Sequence, residues 1–328
     1  MISQARPMTR DTLEHNQIAI YFVAVLLAAA FGVFAPLSAQ GLGVLVTPAI
    51  ALLMYAMFLQ IPFLDLRQGL GNKRFICALL LANFILVPLL VWALTRGLVE
   101  RPALLVGALL VLLTPCIDYV VVFTHIGKGD SRLMLAATPV LLLLQLALLP
   151  VYLSFMLGAR SAVVVAVGPF VEAFLLLIVL PMLLAVVTTA LARRSSVVNR
   201  WSNVWAWLPV PAMAWVLFVV IGSQITAVLR DVALLLPVIP VYAGFLLLAP
   251  LVGALAARLF ALPAGAARAV TFSASTRNSL VVLPLALALP EDVRGLAATA
   301  VVLQTLLELV GELLYIRLIP ALVWRTGR

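Results

Sequence analysis

Thr114-Pro115-Cys116-Ile117-Asp118 and Ser273-Ala274-Ser275-Thr276-Arg277-Asn278 are polar interruptions in two otherwise apolar stretches, separated by close to half of the 328-residue chain. Each sits inside a hydrophobic segment long enough to cross a bilayer. Paired interruptions of corresponding spans in two halves of a membrane protein are the best sequence pointer to the binding site of a secondary transporter. Inside hydrocarbon an unwound segment exposes backbone groups that lipid cannot hydrogen-bond, so such breaks are costly unless protein, water or ligand satisfies them.

The rest of the composition agrees with a membrane setting. The chain is 65% hydrophobic and 10% charged, with a mean hydropathy of +1.23. Each crossing needs about 20 mainly apolar residues to cover roughly 30 Å of hydrocarbon. Ten stretches qualify, near 17–38, 42–63, 73–95, 102–125, 132–156, 166–192, 204–223, 233–258, 267–289 and 296–323. The connections left between them hold no soluble catalytic or nucleotide-binding domain, and no G-x-x-x-x-G-K-[ST] phosphate loop occurs. The expectation is therefore a carrier embedded in lipid. It is not an enzyme, and it needs no cofactor.

Orientation follows from lysine and arginine. With both termini cytoplasmic, the inner ends and loops hold the Arg6–Arg10, Arg67–Lys73–Arg74, Lys128–Arg132 and Arg193–Arg194–Arg200 groups, Arg258, Arg268, Arg325 and Arg328, whereas the outer side holds Arg96, Arg101, Arg160, Arg230 and Arg294. This bias obeys the positive-inside rule. It makes the net charge of +9 a topology signal rather than a nucleic-acid footprint. The partners expected are a lipid bilayer, most simply the inner or plasma membrane, a small inorganic or organic substrate, and protons. Nothing in the sequence sets the oligomeric state.

Ten spans divide into two sets of five, and an odd number per half inverts the second half across the membrane. The fold expected is all-α and polytopic: a cytoplasmic tail over residues 1–16, a first five-helix repeat over 17–158 and a second over 159–328, with broken, crossed fourth and ninth helices. Pro115 removes an intrahelical donor and disfavours helical geometry at Thr114. The ninth span has no proline at its cluster, so its break rests on Ser273, Ser275, Thr276 and Asn278. Taken singly, either segment reads equally well as a packing kink whose hydroxyls bond back to their own helix. Taken together, they predict two breaks facing each other across a small polar chamber.

Several ionisable residues fall at membrane depth. An unpaired charge there costs at least about 2.5–3.5 kcal/mol on insertion scales, so Asp118 and Arg277, at matching depth, are predicted to form an ion pair. Glu308 and Glu312 stand four residues apart on one face of the tenth span, as a proton relay, a partner for Arg277, or packed polar contacts. Protonation of Asp118 that releases Arg277 would couple transport to protons. Glu172 lies near a span end, as do His15 and His125, which form no metal site. Cys77 and Cys116 both fall inside spans and provide no disulfide framework; Cys77 reads as a packed core residue.

Gly107 through Asp130, GALLVLLTPCIDYVVVFTHIGKGD, resembles the fourth span and following loop of the bile acid/sodium symporter superfamily. The Pro115-Cys116 pair and Lys128-Gly129-Asp130 look like its arsenical-resistance branch, the arsenite efflux permeases. Leu53-Met54-Tyr55 and Ser275 to Leu289 are similar to further family segments. The resemblance implies ten spans in two inverted repeats, a panel and a core domain, and crossed broken helices at the site. It matches Cys116 to the fourth-span cysteine of the arsenite permeases, a soft ligand suited to thiophilic As(III) or Sb(III). Where sodium-coupled relatives carry Glu and Gln before Asn, this chain has Ser273, Arg277 and Asn278. That exchange implies loss of sodium binding there, because a fixed guanidinium repels a mobile cation. The arsenite permeases place a functional Glu in this span, where Leu280 stands here.

The expected function is thus proton-coupled efflux of arsenite, with antimonite as a second substrate. Cys116, Thr114, Asp118, Ser275, Thr276, Arg277 and Asn278 would form the substrate site, and Asp118, Glu308 and Glu312 would carry the coupling. The alternative is a carrier of small organic anions in which Arg277 holds the carboxylate and Cys116 only packs.

Overall fold

Prolines and short polar side chains cut the apolar sequence into helices. A proline occupies the first turn of the helices beginning at Pro36, Pro102 and Ile239, where its missing N–H would be unsatisfied anyway. Asn72 accepts from the Phe75 N–H at 3.1 Å, and Asp130 accepts from the Arg132 and Leu133 N–H groups, each at 3.1 Å. A computed structural model describes residues 10–60, 71–117, 119–158, 172, 175–230 and 232–323. Among the described residues all regular secondary structure is helical, apart from one isolated antiparallel bridge between Pro115 and Arg277.

The chain separates into two compact units, each assembled from both halves of the sequence: 1–60 with 176–229, and 61–175 with 230–328. The first contains α1 (Arg10–Phe34), α2 (Pro36–Gly41), α3 (Gly43–Phe58), α8 (Leu180–Ala192), α9 (Ser196–Trp205) and α10 (Pro209–Arg230). Near its surface runs a chain of single donors. Trp201 Nε1 donates to Tyr55 Oη at 3.2 Å, Tyr55 Oη lies 2.9 Å from Thr188 Oγ1, and Thr188 Oγ1 donates to the Leu184 carbonyl at 2.7 Å.

The second unit contains α4 (Lys73–Leu98), α5 (Pro102–Leu112), α6 (Tyr119–Ile126), α7 (Ser131–Leu157), α11 (Ile239–Leu259), α12 (Ala264–Ser275), α13 (Ser279–Leu287) and α14 (Glu291–Leu322). α4 widens into a π-turn over Ala82–Leu86, and the Tyr152 hydroxyl donates to the Phe84 carbonyl in that turn at 2.6 Å. Two glycines let backbones touch. A Cβ at Gly107 would lie 2.6 Å from the Ala297 carbonyl oxygen, and one at Gly253 would lie 2.7 Å from Thr271 Cα. Small residues at helix crossings are how membrane helices bring main chains together without a hydrophobic driving force between them. Here they clamp α5 against α14 and α11 against α12, the helices that carry the two polar interruptions.

Among the described residues five helices are long and apolar enough to cross a membrane: α4, α7, α10, α11 and α14. α14, at 32 residues, extends about 48 Å at helical rise, more than the roughly 30 Å of hydrocarbon. Shorter apolar helices lie at Ala19–Phe34, Gly43–Phe58, Pro102–Leu112 and Leu180–Ala192. Large apolar side chains point outward, Phe155 at 78% and Leu247 at 73% exposure, an arrangement that is stable only if hydrocarbon is the solvent. The stretches expected as spans at 102–125 and 267–289 are not continuous helices. Each is two half-helices, α5 with α6 and α12 with α13, because the polar interruptions unwind.

Candidate functional site

α5 ends at Leu112 because the chain three residues on cannot continue it. Pro115 has no N–H to give, and the Thr114 hydroxyl turns back on the helix, 3.0 Å from the Leu110 carbonyl and 3.1 Å from that of Val111. α12 ends at Ser275, with Thr276 extended at φ −102°, ψ 128°. Asn278 starts the next half-helix as its N-cap, with Oδ1 accepting from the Val281 N–H at 3.3 Å.

The two unwound segments satisfy each other. The Cys116 N–H donates to the Thr276 carbonyl at 3.1 Å, and the Asn278 N–H donates to the Thr114 carbonyl at 2.8 Å. These bonds flank the Pro115 to Arg277 bridge, so the segments run antiparallel and replace two lost helical bonds with two inter-segment ones. This answers the requirement that no backbone group stay bare at membrane depth.

Arg277 is completely buried and serves the half-helix ends. Its guanidinium donates to the Ser273 carbonyl at 2.5 Å and the Leu112 carbonyl at 3.4 Å, the C-terminal ends of α12 and α5, and to Asn83 Oδ1 at 2.9 Å. A cation suits this position because helix C-termini carry partial negative charge. The face of Phe245 lies 5.5 Å from the guanidinium carbon and adds a cation–π contact.

Both glutamates of α14 reach the crossing. Glu308 is held by three donors: the Arg277 N–H, shared at 3.1 and 3.0 Å between its two oxygens, Tyr119 Oη at 2.7 Å and Gln304 Nε2 at 2.5 Å. Glu312 lies 2.7 Å from Thr276 Oγ1, and its second oxygen has no hydrogen-bond partner. Both carboxyls are buried. Leu112, Tyr242, Phe245, Leu246, Gln304, Leu307 and Glu308 enclose a void too small for a water molecule.

The sequence-predicted residues Thr114, Cys116, Thr276, Arg277 and Asn278 meet at the crossing, with Glu308 and Glu312 beside them. Cys116 is fully buried there as a thiol outside any disulfide. The Ser275 hydroxyl turns away and donates to the Thr271 carbonyl at 2.8 Å. Asp118, and with it the predicted Asp118 to Arg277 pair, lies outside the described residues. One expectation is corrected: Cys77 is exposed on the outer face of α4 rather than packed in the core, because a thiol at a lipid-facing position of a membrane helix is as well solvated as in the interior. His125 and Glu172 are exposed and take no part.

Three participants were not foreseen. Asn83 bridges Arg277 and Ser273, donating to Ser273 Oγ at 3.0 Å; Tyr119 and Gln304 hold Glu308. Asn83 is a lone amide in an apolar span, and Gln304 precedes Glu308 by one helical turn. Both were visible as intramembrane polar residues, but no pattern in the chain ties Asn83 to Arg277.

Long apolar helices, outward-facing hydrophobic side chains and paired half-helices around a buried polar cluster define a multi-pass membrane protein of the transporter class. A family model for the Sodium Bile acid symporter family matches residues 47–231, more than half of the chain, and the protein belongs to that family. The match includes the first interruption and stops before the second. No curated protein matches the sequence.

Proposed function

We propose that this protein is a secondary carrier that exports arsenite, and antimonite as a second substrate, across the inner or plasma membrane in exchange for protons. The observation that carries the reading is the placement of Cys116. It is a buried thiol whose backbone is fixed by the opposite broken helix, at the one place where both half-helix pairs meet. As(III) is thiophilic, and in water near neutral pH it is an uncharged hydroxide. The charges at the crossing suit a neutral cargo, since a buried cation, Arg277, and a buried carboxyl, Glu308, are already present there. In the same reading the chain forms ten spans in two inverted repeats, 17–158 and 159–328, with both termini cytoplasmic, and the two compact units correspond to panel and core.

The family's name couples sodium to bile acid. Arg277 argues for a different coupling ion here, because its guanidinium already fills an oxygen-lined position with a fixed positive charge. The organic-anion alternative requires Arg277 to receive a carboxylate. Its terminal nitrogens are committed to Ser273, Leu112 and Asn83, which favours the metalloid.

Everted membrane vesicles, offered arsenite, antimonite and simple carboxylates with and without a pH gradient, test the choice. Arsenite accumulation that is gradient-driven and lost in Cys116→Ser is the expected result. Carboxylate accumulation lost in Arg277→Gln, with Cys116→Ser unaffected, would establish the organic-anion carrier instead.

A further inference from the structure

Glu308 and Glu312 are one helical turn apart, equally buried, and surrounded very differently. Glu308 has donors on both oxygens from Arg277, Tyr119 and Gln304. Glu312 touches one hydroxyl, and that hydroxyl is already in use: Thr276 Oγ1 lies 2.7 Å from the Phe272 carbonyl and 2.7 Å from Glu312 Oε1. A threonine hydroxyl has one hydrogen, and a carbonyl oxygen has none. If that hydrogen goes to Phe272, the ordinary back-bond of a helix-terminal threonine, the second short contact needs a hydrogen from Glu312. If it goes to Glu312 instead, the short contact with Phe272 sets two lone pairs against each other. In either case an ionised Glu312 keeps a bare oxygen away from water. Burying a carboxylate that poorly solvated is far costlier than burying the neutral acid.

Among the described residues the groups facing this carboxyl give it no second donor. Glu308 and Tyr315 share its helix, and Arg277 comes from the second interruption. The Arg277 main-chain N–H is spent on Glu308 and its guanidinium on the half-helix carbonyls. From the packed neighbours, Tyr119 of α6 bonds Glu308, Tyr242 of α11 donates to the Ala300 carbonyl, and Arg268 of α12 reaches the Lys128 and Pro320 carbonyls. α5 and α13 contribute no ionisable side chain.

We infer that Glu312 is a neutral carboxylic acid donating to Thr276 Oγ1 and is the exchangeable proton site of the carrier, while Glu308 is the ionised counter-charge of Arg277. The inference rests on the proton-coupled reading above and narrows the coupling from Asp118, Glu308 and Glu312 to Glu312. Release transfers one proton from the Glu312 carboxyl to water on the side to which the site opens. The carboxylate left behind has Thr276 as its one donor among the described residues. That hydroxyl turns from Phe272 to the anion, and the end of α12 loses its side-chain cap. An additional buried negative charge next to Glu308 then favours hydration, and with it separation of the two unwound segments. Rebinding a proton restores the closed crossing.

Infrared spectroscopy of the full chain in lipid vesicles reads the protonation directly. The expected result is a carbonyl band of a protonated carboxylic acid that moves down in D2O, disappears in Glu312→Gln, and moves up in Thr276→Val, where the acid has lost its acceptor. Absence of the band from the wild type, or its survival unchanged in both variants, overturns the inference whatever transport does. Arsenite accumulation with and without an imposed pH gradient forms the second arm. The ratio of the two rates exceeds unity in the wild type and falls to unity in Glu312→Gln, whose amide imitates the protonated acid. A ratio of unity in the wild type would overturn the proton-coupled reading, and a Glu312 band beside it would mark a structural acid with no exchangeable role. A Glu312→Gln protein that keeps the wild-type ratio overturns the assignment of Glu312 alone.

Discussion

Each unit holds a short series of hydroxyls, half-exposed in the first and buried in the second, and the two series differ in how their hydrogens add up. In the first unit the order Trp201, Tyr55, Thr188, Leu184 carbonyl uses one hydrogen per link and ends on an acceptor. Every group is satisfied without a proton from elsewhere. In the second unit Thr276 stands between the Phe272 carbonyl and Glu312. This hydroxyl has an acceptor on each side. A series that closes on itself is a structural joint, insensitive to pH. A series short of a hydrogen responds to proton supply, and in this protein it lies where two helices are broken and a carboxyl is available to complete it.

The largest effect expected is from Arg277→Met. This change removes the cation that serves the ends of α5 and α12 and leaves Glu308 buried without its counter-charge. Breaking a buried charge arrangement by deleting one partner costs about 3–5 kcal/mol. We expect a large fall in the thermal unfolding midpoint in detergent and loss of transport; a midpoint within a degree or two of wild type would mean that the guanidinium does not hold the crossing together. Thr276→Val comes next, at about 1–3 kcal/mol, the usual penalty for stranding a buried polar partner. Its distinguishing sign is a changed pH profile of transport, which a purely structural joint would not show.

Gly253→Val tests whether the second unit depends on close backbone approach. The new side chain meets Thr271 and Ala274, and overpacking of this kind costs about 1–3 kcal/mol. The variant should lose stability while the pH profile of whatever transport remains keeps its shape. Tyr55→Phe is the smallest perturbation and the control for the comparison. It costs about 1 kcal/mol by interrupting the Trp201 to Thr188 series. A shift of the pH profile in this variant would erase the distinction between the two hydroxyl series.

Much of this organisation was legible in the chain. Pro115 announced one break, because a residue without an N–H in a helix interior removes a bond and crowds the preceding turn. The cluster from Ser273 to Asn278 announced the other without a proline. Cys116, Arg277, Glu308 and Glu312 stood out because polar groups are rare and costly at membrane depth. The partnerships were not legible. Sequence symmetry pointed Arg277 toward Asp118, which lies outside the described residues; the partners its guanidinium does meet, the carbonyls of Ser273 and Leu112 and the amide of Asn83, carry no signal in the chain. Which oxygen a guanidinium meets depends on helix rotation. In α4 that rotation is altered by the π-turn at Ala82–Leu86, for which the residues there show no distinctive signature.

By itself, then, the amino-acid sequence determined that the protein lives in lipid, that it is helical, and which short segments break, since hydropathy and the absence of an N–H on proline act locally. The tertiary structure alone decided that the two breaks pair as antiparallel backbone and that Glu308 receives three donors and Glu312 one shared hydroxyl. Those outcomes depend on distances between residues more than 100 positions apart in the chain, such as Thr114 and Asn278. No local preference specifies such distances; close packing of helices with glycine at their contacts does.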